Sequence, residues 1–477
     1  MSGPRRRHIV AALAASSLPL PALRAADNRA AKSLPVPPLL EPRPGSVATL
    51  HAQAGQVEFA PGVASPTAGY NGAYLGPTLR LRRGTEAAIA VQNSLGEATT
   101  VHWHGLLVPS EADGGPHNGI APGAGWRTKL PVRQPACTAW YHAHPHGATG
   151  PQVYSGLAGM LIVSDDEEQS LRLPSRYGED DLPLILQDRV IDRSGRMVYP
   201  RNPMAVMHGV VGNVLLVNGV REPHARVRAG LVRLRLLNAA NASTFTLAFA
   251  DGRPMHWIAT DGGLLRAPVN LRSVTLAPAQ RAEVLVDFSD RRDAALTVTD
   301  SVRSVPVVRF AVSGAGEAGT IPPKLAEWKT PAREQVARRR ELTLTTGIGP
   351  MMGGAAGHAA HAGHGPHGID GAAFDMKRID QRVKLGEVEV WRVGTRPSAM
   401  MDQPHPFHIH GVLFEVLSRG GKPAPPEDQG RRDTVVVDEP VELVAHFTQP
   451  APRMPFMYHC HILEHEDHGM MGQFTVT

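Results

Sequence analysis

Four short segments of this chain hold side chains that could bind metal at regular spacing. They are Val101-His102-Trp103-His104-Gly105, Trp140-Tyr141-His142-Ala143-His144, His405-Pro406-Phe407-His408-Ile409-His410-Gly411 and Tyr458-His459-Cys460-His461-Ile462-Leu463-Glu464-His465. Each contains a His-x-His pair. On a β-strand, residues i and i+2 point to the same face, so each pair presents two imidazoles side by side. One such pair arises easily from strand alternation. Four pairs from both ends of one chain do not.

Eight neutral nitrogen ligands exceed the needs of one ion and suit a small cluster of a borderline metal such as copper. The fourth segment adds a second kind of site. If His459 and His461 share a face, Cys460 points to the other one. His405, Cys460 and His465 then form a two-His, one-Cys set, and Met470 can serve as a weak axial ligand. That is the donor set of a blue, electron-transfer copper. An electron leaving through the Cys460 sulfur is a few bonds from the histidines on either side.

These four motifs, HWHG, HxH, HPFHIHG and HCHxxxHxxxxM, resemble the copper-binding motifs of the multicopper oxidases. The resemblance covers nearly the whole chain after the N-terminal segment. Within the family it looks most like the bacterial cuprous oxidases and laccases, including the run Glu464-His465-Glu466-Asp467-His468-Gly469-Met470-Met471. It implies an all-β fold of three cupredoxin-like Greek-key β-sandwich domains, with the blue copper in the third and the cluster between the first and third. Carried over motif by motif, it implies four coppers. The type 1 copper would have His405, Cys460, His465 and Met470, and the type 2 copper His102 and His408. One type 3 copper would have His104, His142 and His461, and the other His144, His410 and His459. No ligand position is missing, which counts against the copperless relatives that act as binding or division proteins. A copper nitrite reductase would not need eight cluster histidines.

Reducing O₂ to water consumes protons, so positioned acids are needed near the cluster. Asp113 follows the first motif and Glu466 follows His465, and similar enzymes use acids at both positions. Asp467 reads as a structural partner. A low-complexity stretch, 345–371, carries Met351, Met352, His358, His361, His364 and His367 among Gly and Ala. It cannot pack a core but could gather soft metal ions. Met376, Met400, Met401 and Asp402 precede His405 and could dock Cu(I), or could be ordinary core filler.

The elements that must position these residues are β-strands. Abundant glycine (48) and proline (42) punctuate short runs such as Thr78-Leu-Arg-Leu-Arg and Val412-Leu-Phe-Glu-Val-Leu, which favours an all-β protein. A first domain is expected over 45–165 and a second, without copper ligands, over 180–320. The second holds scattered His208, His224 and His256 but no His-x-His pair. A charged linker with Arg338-Arg339-Arg340 follows, and a third domain is expected over 372–477. The rhyme between the motifs of the first and third units points to duplicated β-sandwiches.

Formal net charge is +5, but Arg5, Arg6, Arg7 and Arg24 lie in the first 26 residues, which hold no acid; setting those four aside leaves +1. Near neutrality gives no electrostatic case for nucleic acid or anionic membrane as partner. Residues 1–26 read as an export signal: Arg5-Arg6-Arg7, then an apolar run from Ile9 too short to span a bilayer. Adjacent arginines before that run resemble a twin-arginine signal, read by the Tat export machinery, and place the protein in the periplasm. With Cys460 assigned to metal, Cys137 is left as a small buried thiol.

The expected function is a periplasmic multicopper oxidase. It would couple one-electron oxidation of Cu(I), with laccase-like oxidation of small phenols, to four-electron reduction of O₂ to water in copper tolerance. One alternative is a laccase for organic phenols, Fe(II) or Mn(II). An alternative of another class is a non-catalytic copper-storage or cell-envelope structural protein on the same scaffold. No nucleic acid partner and no membrane span are expected.

The twin-arginine reading has a direct check. Replacing Arg6 and Arg7 by Lys is expected to leave precursor in the cytoplasm in a fractionation assay; normal periplasmic delivery would point to an ordinary secretory signal.

Overall fold

Strand after strand alternates between a core face and an outer face. Glu86–Asn93 buries Ala87, Ile89, Val91 and Asn93 and turns the residues between them outward. Such a strand must cover its apolar face with a second sheet. The computed structural model describes residues 32–43, 45–299, 304–316, 319–347, 367–396 and 403–477, and in them the strands pair up as three two-sheet units.

In the first unit, one sheet orders Leu39–Leu40, Thr78–Arg82, Ala158–Ser164 and Cys137–His142. The other orders Val63–Tyr70, Val47–Ala60, Glu86–Asn93 and Gly125–Pro131. Leu50, Leu79, Ile89 and Leu161 fill the space between them. The second unit pairs a seven-stranded with a five-stranded sheet around Leu184, Leu234, Val284, Phe288 and Phe310. The third pairs a six-stranded with a five-stranded sheet around Trp391, Phe407, Tyr458 and Phe474. Strands cross between the sheets of each unit, so parallel and antiparallel pairs mix: Thr78–Arg82 runs parallel to Ala158–Ser164, which runs antiparallel to Cys137–His142. The described α-helices run from four to seven residues. No described helix is long and apolar enough to cross a membrane. The fold is all-β with cupredoxin-like units, as expected.

The charged run expected to be a linker is instead a strand. Val336–Thr346 pairs parallel with Val388–Thr395. Its arginines are tolerated because they find carboxylates across the sheet: Arg340 Nε lies 2.6 Å from Glu389 and Arg339 Nη1 lies 3.2 Å from Glu442. Composition alone could not reveal partners that sit about 50 and 100 residues downstream.

Buried ion pairs tie the second unit to the chain that leads into it from the first. Arg233 is held between Glu168, on the short helix Asp166–Ser170 that follows the first unit, and Glu283 of the second unit. Arg235 binds Asp181 at 2.7 Å, Glu283 at 2.9 Å and the Thr138 hydroxyl at 2.9 Å. A buried pair is costly to break because the survivor is stranded without water. Arg233→Met should therefore cost roughly 3–5 kcal/mol in guanidinium unfolding. Lys129→Met, which breaks only the exposed pair with Glu86, should move the midpoint little.

Candidate metal centre

Three of the four His-x-His pairs sit at strand ends, and the first, His102 and His104, sits on an isolated bridge. Cys137–His142 ends on His142, with His144 just beyond; His405–Ile409 ends before His410; Ala451–Cys460 ends before His461. His102 pairs with His142 through reciprocal backbone hydrogen bonds of 2.8 and 3.1 Å. In the third unit His408 stands opposite His459 across the ladder. One ring of each pair is therefore fixed by a strand or bridge and its neighbour by the loop that follows. Within each pair the centroids are 5.0–5.8 Å apart.

All eight rings are buried, none more than 1 % exposed. They converge from the first and third units. His102 stacks on His410 at 3.8 Å and His104 on His408 at 3.7 Å. His104, His142 and His461 lie 5.1–5.6 Å from one another, and His102 lies 5.9 Å from His408. Nε2 of His459 is 3.3 Å from that of His144 and 3.1 Å from that of His410.

Six of the eight rings set one nitrogen on an oxygen. Five Nδ1 atoms face oxygens: His102 to the Asp113 carbonyl (3.0 Å), His142 to that of Ala143 (2.9 Å), His408 to that of Asp433 (2.8 Å), His459 to that of Cys460 (3.0 Å) and His410 to the Asp113 carboxylate (2.8 Å). His104 is reversed, with Nε2 on the Asp433 carboxylate at 3.0 Å. The opposite nitrogens, Nε2 of His102, His142 and His408 and Nδ1 of His104, are buried with no hydrogen-bond partner. A buried polar atom without a partner calls for an explanation. An oxygen on one ring nitrogen fixes the tautomer that leaves a lone pair on the other, which is how imidazoles are prepared for a metal. The residues fit a copper cluster on this observation.

His405, Cys460 and His465 form a separate buried set. The Cys460 sulfur lies 3.4 Å from His405 Nδ1 and 3.8 Å from His465 Nδ1, and those nitrogens are 3.3 Å apart. Met470 is buried; its amide donates to the His465 carbonyl at 2.8 Å and its carbonyl accepts from the Cys460 amide at 3.0 Å. Cys137 is a buried free thiol elsewhere, its pKa pushed up to about 12 by burial.

Asp113 and Glu466 flank the rings. Asp113 Oδ2 also stands 3.3 Å from His102 Nδ1. The Glu466 oxygens lie 3.3 and 3.1 Å from Nδ1 of His144 and His459 but have no well-aligned hydrogen bond. Asp467 accepts from the amides of Thr149 and Gly150, both at 2.8 Å, and so ties the third unit to the first. Met376 packs with Phe374, Met457 and Met471. Residues 1–31, where the export signal is expected, lie outside the described residues, as do Met351, Met352, His358, His361, His364, Met400, Met401 and Asp402.

Sequence reasoning missed Asp433 and Arg281. Asp433 orients His104 with its carboxylate and His408 with its carbonyl. Arg281 of the second unit grips that carboxylate at 2.8 and 2.6 Å, and donates to the carbonyls of Thr138, Ala279 and Asp261. Burial works against this guanidinium's charge, yet Asp433 and Asp261 hold its pKa above the ordinary value. Nothing in the spacing of positions 281 and 433 could have linked them.

Family models described as multicopper oxidase match residues 51–168, 178–311 and 339–477. The chain belongs to the multicopper oxidase family. Membership implies copper as the metal. A laccase-like multicopper oxidase, CueO, from Ochrobactrum sp. superposes with a TM-score of 0.84 at 39% identity, covering 93% of this chain and 100% of that one. The McoA multicopper oxidase of Aquifex aeolicus gives 0.83 at 30% identity, over 94% and 100%. Among curated relatives, cell division protein FtsP of Dickeya dadantii is 39% identical over 100% of this chain and 99% of its own length. FtsP of Escherichia coli is 37% identical with the same coverage.

These relatives overturn the expected function. A Cu(I) and phenol oxidase serving copper tolerance is not what full-length similarity to cell division proteins supports; the envelope-protein alternative agrees better with it. The inference that a complete ligand set counts against the division proteins is corrected too. Buried ligands report what the interior can hold and are silent about what the surface serves.

The rings also predict a pH dependence. Burial first, then repulsion among neighbouring imidazoles, lowers the pKa of His104, His142, His144, His408, His410, His461 and His465 well below the ordinary value. Burial brings His405 to about 4. Unfolding frees these groups to protonate near 6.5, so the unfolded state binds more protons below that pH. Stability of the copper-free protein should be full above about pH 6.5 and fall toward pH 4, by roughly 1.4 kcal/mol per pH unit for each ring involved. Urea unfolding at pH 7.5 and 5.5 measures the slope; equal midpoints would mean the rings are not held neutral.

Proposed function

We propose that this chain is an exported cell-envelope protein that serves cell division on a multicopper oxidase scaffold and carries copper in its interior. The observation that carries the reading is the 37–40% identity, over the whole chain, to proteins named cell division protein FtsP. The periplasm, reached by the twin-arginine route, is the compartment proposed. Domains over 45–165, 180–320 and 372–477 are proposed as the sandwiches.

Four coppers are proposed per chain. His405, Cys460, His465 and Met470 would hold the type 1 copper, and His102 and His408 the type 2. His104, His142 and His461 would hold one type 3 copper, and His144, His410 and His459 the other. Bound copper would supply one-electron redox chemistry. The chain's own part is to bury the rings and, for six of them, to fix which nitrogen carries the proton.

A second reading is favoured by one observation, the unpartnered ring nitrogens that a protein without copper has no reason to keep buried. On it the chain is an oxidoreductase with O₂ as acceptor. Asp113, bonded to His410, and Glu466, beside His144 and His459, would hold and hand over protons.

One experiment tests both. Deleting the gene in its host should delay septation and lengthen the cells. A copy with His459→Ala and Cys460→Ser, checked for folding, is expected to restore normal length while copper falls from four per chain toward two or fewer. Failure of that copy to restore division would make copper chemistry part of the role. Normal length in the deletion strain would sink the division reading.

A further inference from the structure

We infer that the short helix Pro203–His208 of the second unit is a specificity-determining cap over the Cys460 site, closing it to ring-sized organic donors. The inference rests on the copper assignment of the preceding section. It starts from a helix end. The last carbonyls of a helix have no partner within it and must find one elsewhere. Here three consecutive carbonyls are satisfied by three side chains of the third unit. His367 Nε2 donates to Val206 at 3.0 Å, His465 Nε2 to Met207 at 3.0 Å and Gln403 Nε2 to His208 at 2.9 Å.

The middle donor is itself a proposed ligand. A carbonyl can only accept, so His465 must carry its proton on Nε2. Its lone pair is then left on Nδ1, the nitrogen that faces Cys460 and His405. The ring is 0 % exposed, and His367 packs against it with centroids 4.3 Å apart. The outer edge of His465 is therefore covered by protein backbone. Beside the other histidine, His405, lies a cavity of about 40 Å³ lined by Gln403, Pro404 and Asp438. That is well below the roughly 150 Å³ of a cavity that takes up benzene, and so too little for an aromatic ring.

The helix is held from inside as well. Asn202 caps its start by accepting from the Ala205 amide at 2.9 Å. Ala205 and Val210 pack with Tyr154. Glu464, the residue before His465, binds the Val210 amide at 3.0 Å, Tyr199 at 2.9 Å and Asn241 at 2.8 Å. Removing His367 and Gln403 leaves these contacts but takes away two of the three bonds at the capped end.

The test uses copper-free full-length protein and N-ethylmaleimide, a ring-sized reagent, with each thiol followed by peptide mass mapping. Both cysteines are free and buried, so Cys137 reports general unfolding while Cys460 reports the cap. In the wild type both should stay protected. In His367→Ala with Gln403→Ala, Cys460 should label about tenfold faster or more while Cys137 does not change, because local opening becomes easier without global unfolding. A variant with residues 203–208 replaced by Gly-Ser-Gly should give a larger selective increase. An unchanged Cys460 rate in both variants, or Cys137 and Cys460 rising together, overturns the cap. Copper content is measured in parallel. Selective opening in a protein that takes up no copper would sink the copper assignment and leave the cap standing.

Discussion

Eight imidazoles are crowded into one buried space, and burial together with repulsion from neighbouring rings holds His104, His142, His144, His408, His410 and His461 in the neutral form. Neutral imidazole has one donor and one acceptor nitrogen. The donor needs an oxygen, and five of the rings take theirs from backbone carbonyls or Asp113 with the same nitrogen. Much of the local architecture follows from that need. The strands that carry His142 and His459 end where a carbonyl turns toward a ring, and Asp113 serves two rings from the end of the short helix Ser110–Asp113.

The second unit contributes no ring, yet the arrangement depends on it. Asp433 can hold His104 only if its own charge is held, and the holder is Arg281 from the second unit. The same guanidinium donates to Thr138 on the strand that carries His142. One side chain thus touches all three units at the seam where the rings meet. Breaking up such a group strands charges on every side, which makes the relative placement of the three units part of the site. Glu464 does similar work on the far side, reaching Asn241, Tyr199 and the Val210 amide of the second unit from beside His465.

The ring positions were legible because their signal is local: spacing of two, a cysteine between, and the same word repeated. The all-β class was legible for the same reason, in short alternating runs. What was not legible is whatever depends on partners far apart in the chain. Arg338-Arg339-Arg340 reads as solvated linker until Glu389 and Glu442 are brought beside the strand. Asp433 reads as one acid among many until folding sets it between His104 and Arg281. The reversed ring of His104, which turns Nδ1 and not Nε2 to the interior, depends on that same acid and leaves no trace in its own motif.

The cellular role was illegible for a different reason. A motif records what a buried site can hold and says nothing of what the outside of the fold serves. At 39% identity the chain resembles both a laccase-like oxidase and a cell division protein, and it is the match over the whole chain to several division proteins that carries the proposed role. Access is a further variable: on the proposed cap, the outer edge of His465 is covered by the Met207 carbonyl and is not open to a bulky donor. Donors and the proposed cover lie on different elements, the donors on strands, a bridge, turns and the short helix Leu463–Asp467 of the first and third units and the cover on a six-residue helix of the second. The cover can therefore change while every ligand stays, and a family read by its ligands alone will look more uniform in function than its members are.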